Sequence, residues 1–158
     1  MKQIKILSAV VTICVAALTA LTIAIMAFLP KISLIIAQSY TAEAHMRVPV
    51  LIQLEIALGF FAIICLLGLN VLRLAAKGRM YSSNTAKTLK LIALSFLCIS
   101  VLQIVFVFYV ISQVEGSITN LYSLFIAFGC LGAAALFMLL SCLTVQGTQY
   151  KQDSELAI

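Results

Sequence analysis

RLAAKGRMYSSNTAKTLK, residues 73–90, is the stretch on which the fold turns. It holds Arg73, Lys77, Arg79, Lys87 and Lys90, half of the ten Lys and Arg residues in the 158-residue chain, and an apolar run flanks it on each side. Lys and Arg resist translocation, so cations gathered between two apolar runs mark a cytoplasmic loop joining two membrane-crossing helices.

Composition agrees. Apolar residues make up 64% of the chain and charged residues 9%, against about 45–50% and about 25% in soluble domains. A soluble monomer could not cover that much apolar side chain, and the mean hydropathy of +1.20 points to the membrane class. The net charge of +5 flanks apolar spans and lines no soluble face. Nucleic acid is therefore not the expected partner; the anionic headgroups of the inner leaflet are.

Working outward from the turn, the sequence predicts a single all-α transmembrane domain over 1–158, an integral membrane four-helix bundle. Its helices are expected at about 6–29, 49–72, 89–112 and 121–145, with an outer loop at 30–48 and the basic cytoplasmic turn at 73–88. About 20 apolar residues cross a hydrocarbon core of about 30 Å, and each run is long enough. A basic start before an apolar run also opens a secretory signal. Here, however, the run exceeds the usual length and ends in Phe28-Leu29-Pro30 instead of small residues. Within the turn, Gly78 is expected to end the second helix and Ser82 or Ser83 to cap the third.

With four spans both termini share one side. Lys2, Lys5, Arg73, Lys77, Arg79, Lys87, Lys90 and Lys151 then fall on the inner side, against Lys31 and Arg47 outside. That bias predicts both termini in the cytoplasm. The tyrosines (Tyr40, Tyr81, Tyr109, Tyr122, Tyr150) fall near span ends or in connections, as amphipathic rings do.

Two stripes of small residues stand out. Ser8, Thr12, Ala16, Ala20 and Ala24 recur every fourth residue in the first span, and Gly129, Gly132, Ala133, Ala134 and Ala135 cluster in the fourth. Small side chains let helices approach closely in lipid; alanine is also simply common in apolar helices. In the outer loop, Pro30 is expected to stop the first span, and Ile32, Ile35, Ile36 and Tyr40 repeat as in a short amphipathic helix at the interface.

Polar residues inside the spans are the candidates for function. Glu55 is the sole acid within an apolar run, and Gln53 and Asn70 share its span. A buried carboxyl is either a coupling or ligand-anchoring group, or a structural contact to Gln103 of the third span or to a Ser or Thr of the first. Gln103 lies near mid-membrane and is expected to face other helices. His45, with only Glu43 near it, reads as a solvated loop residue. Cys14, Cys65, Cys98, Cys130 and Cys142 lie inside apolar spans with no CxxC spacing, so packing residues are expected and no disulfide framework.

With turn and tail in view, the chain resembles the bacterial family called domain of unknown function 2975. The resemblance rests on a proline-ended first helix, on the turn pattern Gly78, Tyr81, Ser82, Leu89 and Ile92, and on the closing Asp153-Ser154-Glu155-Leu156-Ala157-Ile158. Thr85 stands where an Asn is common in that family, and Ala157 where a Thr is common. The resemblance implies a multi-pass protein of the bacterial inner membrane with no established activity. Members often stand beside small helix-turn-helix regulators, which implies a regulatory partnership.

The leading functional expectation is therefore a non-enzymatic interaction or regulatory protein that binds a membrane or cytoplasmic protein partner. One alternative is a small transporter or efflux subunit coupled through Glu55; another is immunity to a membrane-active peptide through the outer loop. No nucleophile–base grouping, metal-ligand spacing, phosphate loop or cysteine pair is present, so neither an enzyme, a cofactor nor a metal is expected.

Overall fold

The computed structural model describes the backbone of residues 2–39, 41–78, 80–113 and 118–156, and the side chains of those residues apart from 2–8, 41–43, 118–119, 151 and 153–156. Four helices follow in order: α1 (Lys2–Ser39), α2 (Arg47–Ala76), α3 (Ser83–Gln113) and α4 (Ile118–Leu156), with a 3-10 helix at Thr41–Met46 before α2. All four are long and apolar enough to cross a membrane. Helix is the form such runs must take, since hydrocarbon offers backbone N–H and C=O groups no other partner.

The expected outer loop at 30–48 needs correction. α1 continues through Pro30 to Ser39, so Ile32, Ile35 and Ile36 extend the first helix and form no separate interfacial one. Tyr40 lies outside the described residues. A proline removes one backbone hydrogen bond, whereas unwinding an apolar segment would strand many, and membrane helices accommodate the smaller loss. Ser33 Oγ donates to Pro30 O at 2.8 Å, just beyond that gap. α3 likewise starts earlier than its apolar core, at Ser83.

Each helix packs on the next one in the chain, and α3 packs on both α2 and α4. Among the described residues α1 reaches neither α3 nor α4, so the bundle is open along α1.

The α2–α3 seam follows alternating steps of three and four residues. Met46, Val50, Gln53, Phe60, Ile64, Leu67 and Val71 run along one side, and Val110, Phe106, Gln103, Ile99, Phe96, Ile92 and Leu89 descend the other. At its two ends Met46 packs with Phe106 and Val110, and Ile64 with Ile92 and Ile99. That alternation is the pattern of antiparallel helices crossing at a shallow left-handed angle.

The α3–α4 seam is narrower and built from small residues seven apart. Ala86, Ala93 and Ser100 are buried on α3, and Ala127, Ala134 and Ser141 on α4. Ser100 Oγ donates to Ala127 O at 2.9 Å, and Ser141 Oγ donates to Ala86 O at 2.8 Å. These two bonds set the register and put Ala93 level with Ala134 between them. Phe96 and Phe137 stack beside the seam with ring centroids 5.7 Å apart.

Of the two small-residue stripes singled out in the sequence, the one in α1 lies elsewhere, and the one in α4 meets the seam at Ala134. Ala16, Ala20 and Ala24 are exposed, and the buried side of α1 carries Thr19 and Thr22. Gly129 and Gly132 are exposed, and a methyl group added at either would meet open space. A helix in lipid shows apolar residues on every side, so small size at intervals of four did not identify the packed face.

Candidate functional site

The basic turn is the better-defined of two candidate sites. Arg73 and Lys77 close α2, where Lys77 N–H donates to Arg73 O at 3.2 Å and Gly78 N–H to Ala75 O at 3.0 Å. Gly78 has φ +70, the left-handed conformation in which a side chain is strained, and so reverses the chain. Ser82 then caps α3: its Oγ accepts from Thr85 N–H at 3.3 Å and lies 2.9 Å from Thr85 Oγ1. Thr85 is almost completely buried, so this threonine is built into the cap. Arg79 lies outside the described residues.

Tyr81 explains the aromatic position of the turn. Its ring lies over Gly147 of α4, where an added Cβ would come within 2.6 Å of Tyr81 Cδ1. Leu89 and Ile92 are both buried, Ile92 within the α2–α3 cluster. Every residue of the Gly78, Tyr81, Ser82, Leu89, Ile92 pattern thus shapes or packs the hairpin: Gly78 and Ser82 take the helix-ending and capping roles expected of them, whereas the packing of Tyr81, Leu89 and Ile92 was not disclosed by the order of residues.

Among the described residues, four cations surround this hairpin. Arg73, Lys77, Lys87 and Lys90 are exposed. Lys87 and Lys90 also border a groove of about 590 Å³ between α3 and α4 whose remaining lining is apolar. That groove was not legible beforehand, because it depends on which leucines flank the α3–α4 seam.

The second candidate is polar and intramembrane. Gln103 and Gln53 are both buried, 4% and 7% exposed, and the seam register sets them level on facing helices. Glu55 stands two residues from Gln53, about 200° around the helix, so it does not share the seam with Gln103. It is half-buried on the stripe of Leu51, Leu58, Ala62 and Cys65. Among the described residues no hydrogen bond joins Glu55 to Gln103 or to an α1 hydroxyl, which corrects the structural contact expected between them. Thr19 and Thr22 donate instead to Val15 O and Leu18 O of their own helix, each at 2.8 Å. The sequence signal for the glutamine layer was present in the alternating spacing of Gln53 and Gln103 with their apolar neighbours.

The end of the α1–α2 pair away from the basic turn is joined by Arg47 Nε donating to Ser33 Oγ at 3.2 Å. His45 is exposed there, and among the described residues no group of three His, Cys, Asp or Glu side chains converges as a metal site would require.

Fold and site together define a helical protein of the multi-pass membrane class, with a capped basic hairpin at one end. The chain belongs to the family described as protein of unknown function (DUF2975), which matches residues 33–158. The match takes in the end of α1, the turn and all of α2 to α4, and leaves α1 up to residue 32 outside. No curated protein and no solved structure matches the chain.

Proposed function

We propose that the protein is a non-enzymatic interaction protein of the bacterial inner membrane, with both termini and the basic turn in the cytoplasm. Arg73 and Lys77, at the end of α2, are the surface a partner protein reads. The observation that carries this reading is that both cations are exposed on a hairpin whose backbone is held by Gly78 and by the Ser82 cap. A surface ordered before binding loses less entropy when a partner docks, and clustered cations steer an acidic segment toward it. The excess of Lys and Arg on the turn and terminal segments supports the cytoplasmic placement.

The test is affinity purification of the full tagged chain in mild detergent, with Arg73→Glu and Lys77→Glu combined as the variant. The wild type should bring down a stoichiometric protein partner, and the variant should lose at least about ten-fold of it, the loss of about 1.4 kcal/mol. Repeated recovery of the wild-type chain alone, or equal recovery with the variant, removes the reading. A reporter fused to the carboxyl end should be active on the cytoplasmic side.

A further inference from the structure

We propose that the groove between α3 and α4 holds one acidic phospholipid, its phosphate on Lys87 and Lys90 and an acyl chain along the leucines below them. The groove exists because of the seam. Ala93 and Ala134 bring the two backbones together, and Leu94, Leu97, Leu131 and Met138 stand up on either side to make an apolar channel of about 590 Å³.

Its length and depth suit one leaflet. From Lys87 to Leu97 the helix rises about 15 Å, half of a hydrocarbon core of about 30 Å. Leu97 adjoins the midpoint of α3 (Ser83–Gln113), so the channel runs from the membrane surface to the bilayer centre. Lys87 and Lys90 are one turn apart on the same helix face, and a lysine stem buries itself while its ammonium reaches the headgroups.

Charge selects the occupant. Neither lysine ion-pairs with a described residue. Ser141, bonded to Ala86, marks the level of Lys87 on α4, and Asp153 follows about 18 Å farther along that helix. A second copy of the chain is a poorer fit. Glu55, the one acid within its apolar runs, lies toward the end of α2 opposite the basic turn, so a parallel neighbour would put it in the other leaflet. Acyl tails gain little over bulk lipid by entering an apolar channel, which leaves the phosphate on two lysines as the source of preference.

The experiment uses the full chain reconstituted in bilayers of equal phosphatidylglycerol and phosphatidylcholine. Retained lipid is counted by native mass spectrometry, and phosphatidylglycerol carrying a photoreactive acyl chain maps its position. One phosphatidylglycerol per chain should be retained in at least about ten-fold preference, with adducts on Leu94, Leu97 or Leu131. Lys87→Gln combined with Lys90→Gln should abolish the preference. Ala135→Phe, at an exposed position on the groove lining, fills the channel with both lysines intact and should abolish the adducts, with helicity checked by circular dichroism. Arg73→Glu with Lys77→Glu should leave retention unchanged, which separates this site from the partner surface. Equal retention of the two lipids, adducts scattered over α1 and α2, or cross-links between two copies through the channel would each overturn the proposal. So would equal losses from the two pairs of charge variants, since that would mean the net charge alone attracts the lipid.

Discussion

The α3–α4 pair and the α1–α2 pair have similar helices and different joints. In the most apolar stretch of α3, which packs on two helices, 39% is buried, against 17% in α2, 17% in α4 and 11% in α1, so burial singles out α3 and not the pair. The serine hydroxyls of the α3–α4 seam reach across to the opposite backbone, Ser100 to Ala127 and Ser141 to Ala86. The Thr19 and Thr22 hydroxyls fold back onto α1 itself. Between the described parts of α1 and α2 the cross-helix side-chain bond is the one from Arg47 to Ser33, near the end of the pair. Burying more apolar surface does little to hold two helices together in lipid, because the tails are equally apolar. Close backbone approach and bonds made across the seam matter more, and α3–α4 has both.

The sharpest way to break this contrast is to overfill each pair. Ala93→Leu places a branched side chain between Ala93 and Ala134, where the backbones are closest, and should destabilise the fold by about 1–3 kcal/mol. Ala20→Leu, on the exposed face of α1, should change stability by less than about 0.5 kcal/mol. Thermal unfolding in detergent, followed by circular dichroism, compares the two, and equal effects would mean that the α1 stripe is packed after all.

A finer comparison removes single hydroxyls. Ser141→Ala deletes a cross-helix bond and should lose about 0.6 kcal/mol, the average for such bonds in membrane proteins. Thr19→Ala deletes a bond within one helix and should lose less. If Thr19→Ala proved the more damaging of the two, the distinction between hydroxyls that bridge helices and those that do not would fail.

The smallest effect is expected at Glu55. It bonds to no described hydrogen-bonding partner and lies only half-buried, about 10 Å from the middle of α2. Glu55→Gln should therefore shift stability by less than about 0.5 kcal/mol in the same unfolding measurement. A loss above about 2 kcal/mol would show that the carboxylate holds α1 and α2 together.

The basic hairpin shows what local chemistry makes readable. Gly78, the Ser82 cap and the cluster of cations obey rules that operate over a few residues, so their roles follow from neighbours in the chain. Tyr81 does not yield to the same reading, because its partner Gly147 lies on another helix. Gln53 and Gln103 fall between these cases. Each is visibly polar in an apolar span, but their shared level appears only when the α2–α3 register is known.

Four long apolar segments and a charged reversal were written into the order of residues, since hydropathy and charge act on each stretch independently of the others. Tertiary packing alone decided which face of each helix is covered, that Pro30 lies within α1, and that the α3–α4 seam runs through Ala86, Ala93 and Ser100. The reason is the solvent. Water would have marked the covered face by its apolar side chains, whereas a helix surrounded by hydrocarbon is apolar all round, and only the fit against a neighbour distinguishes one side from another.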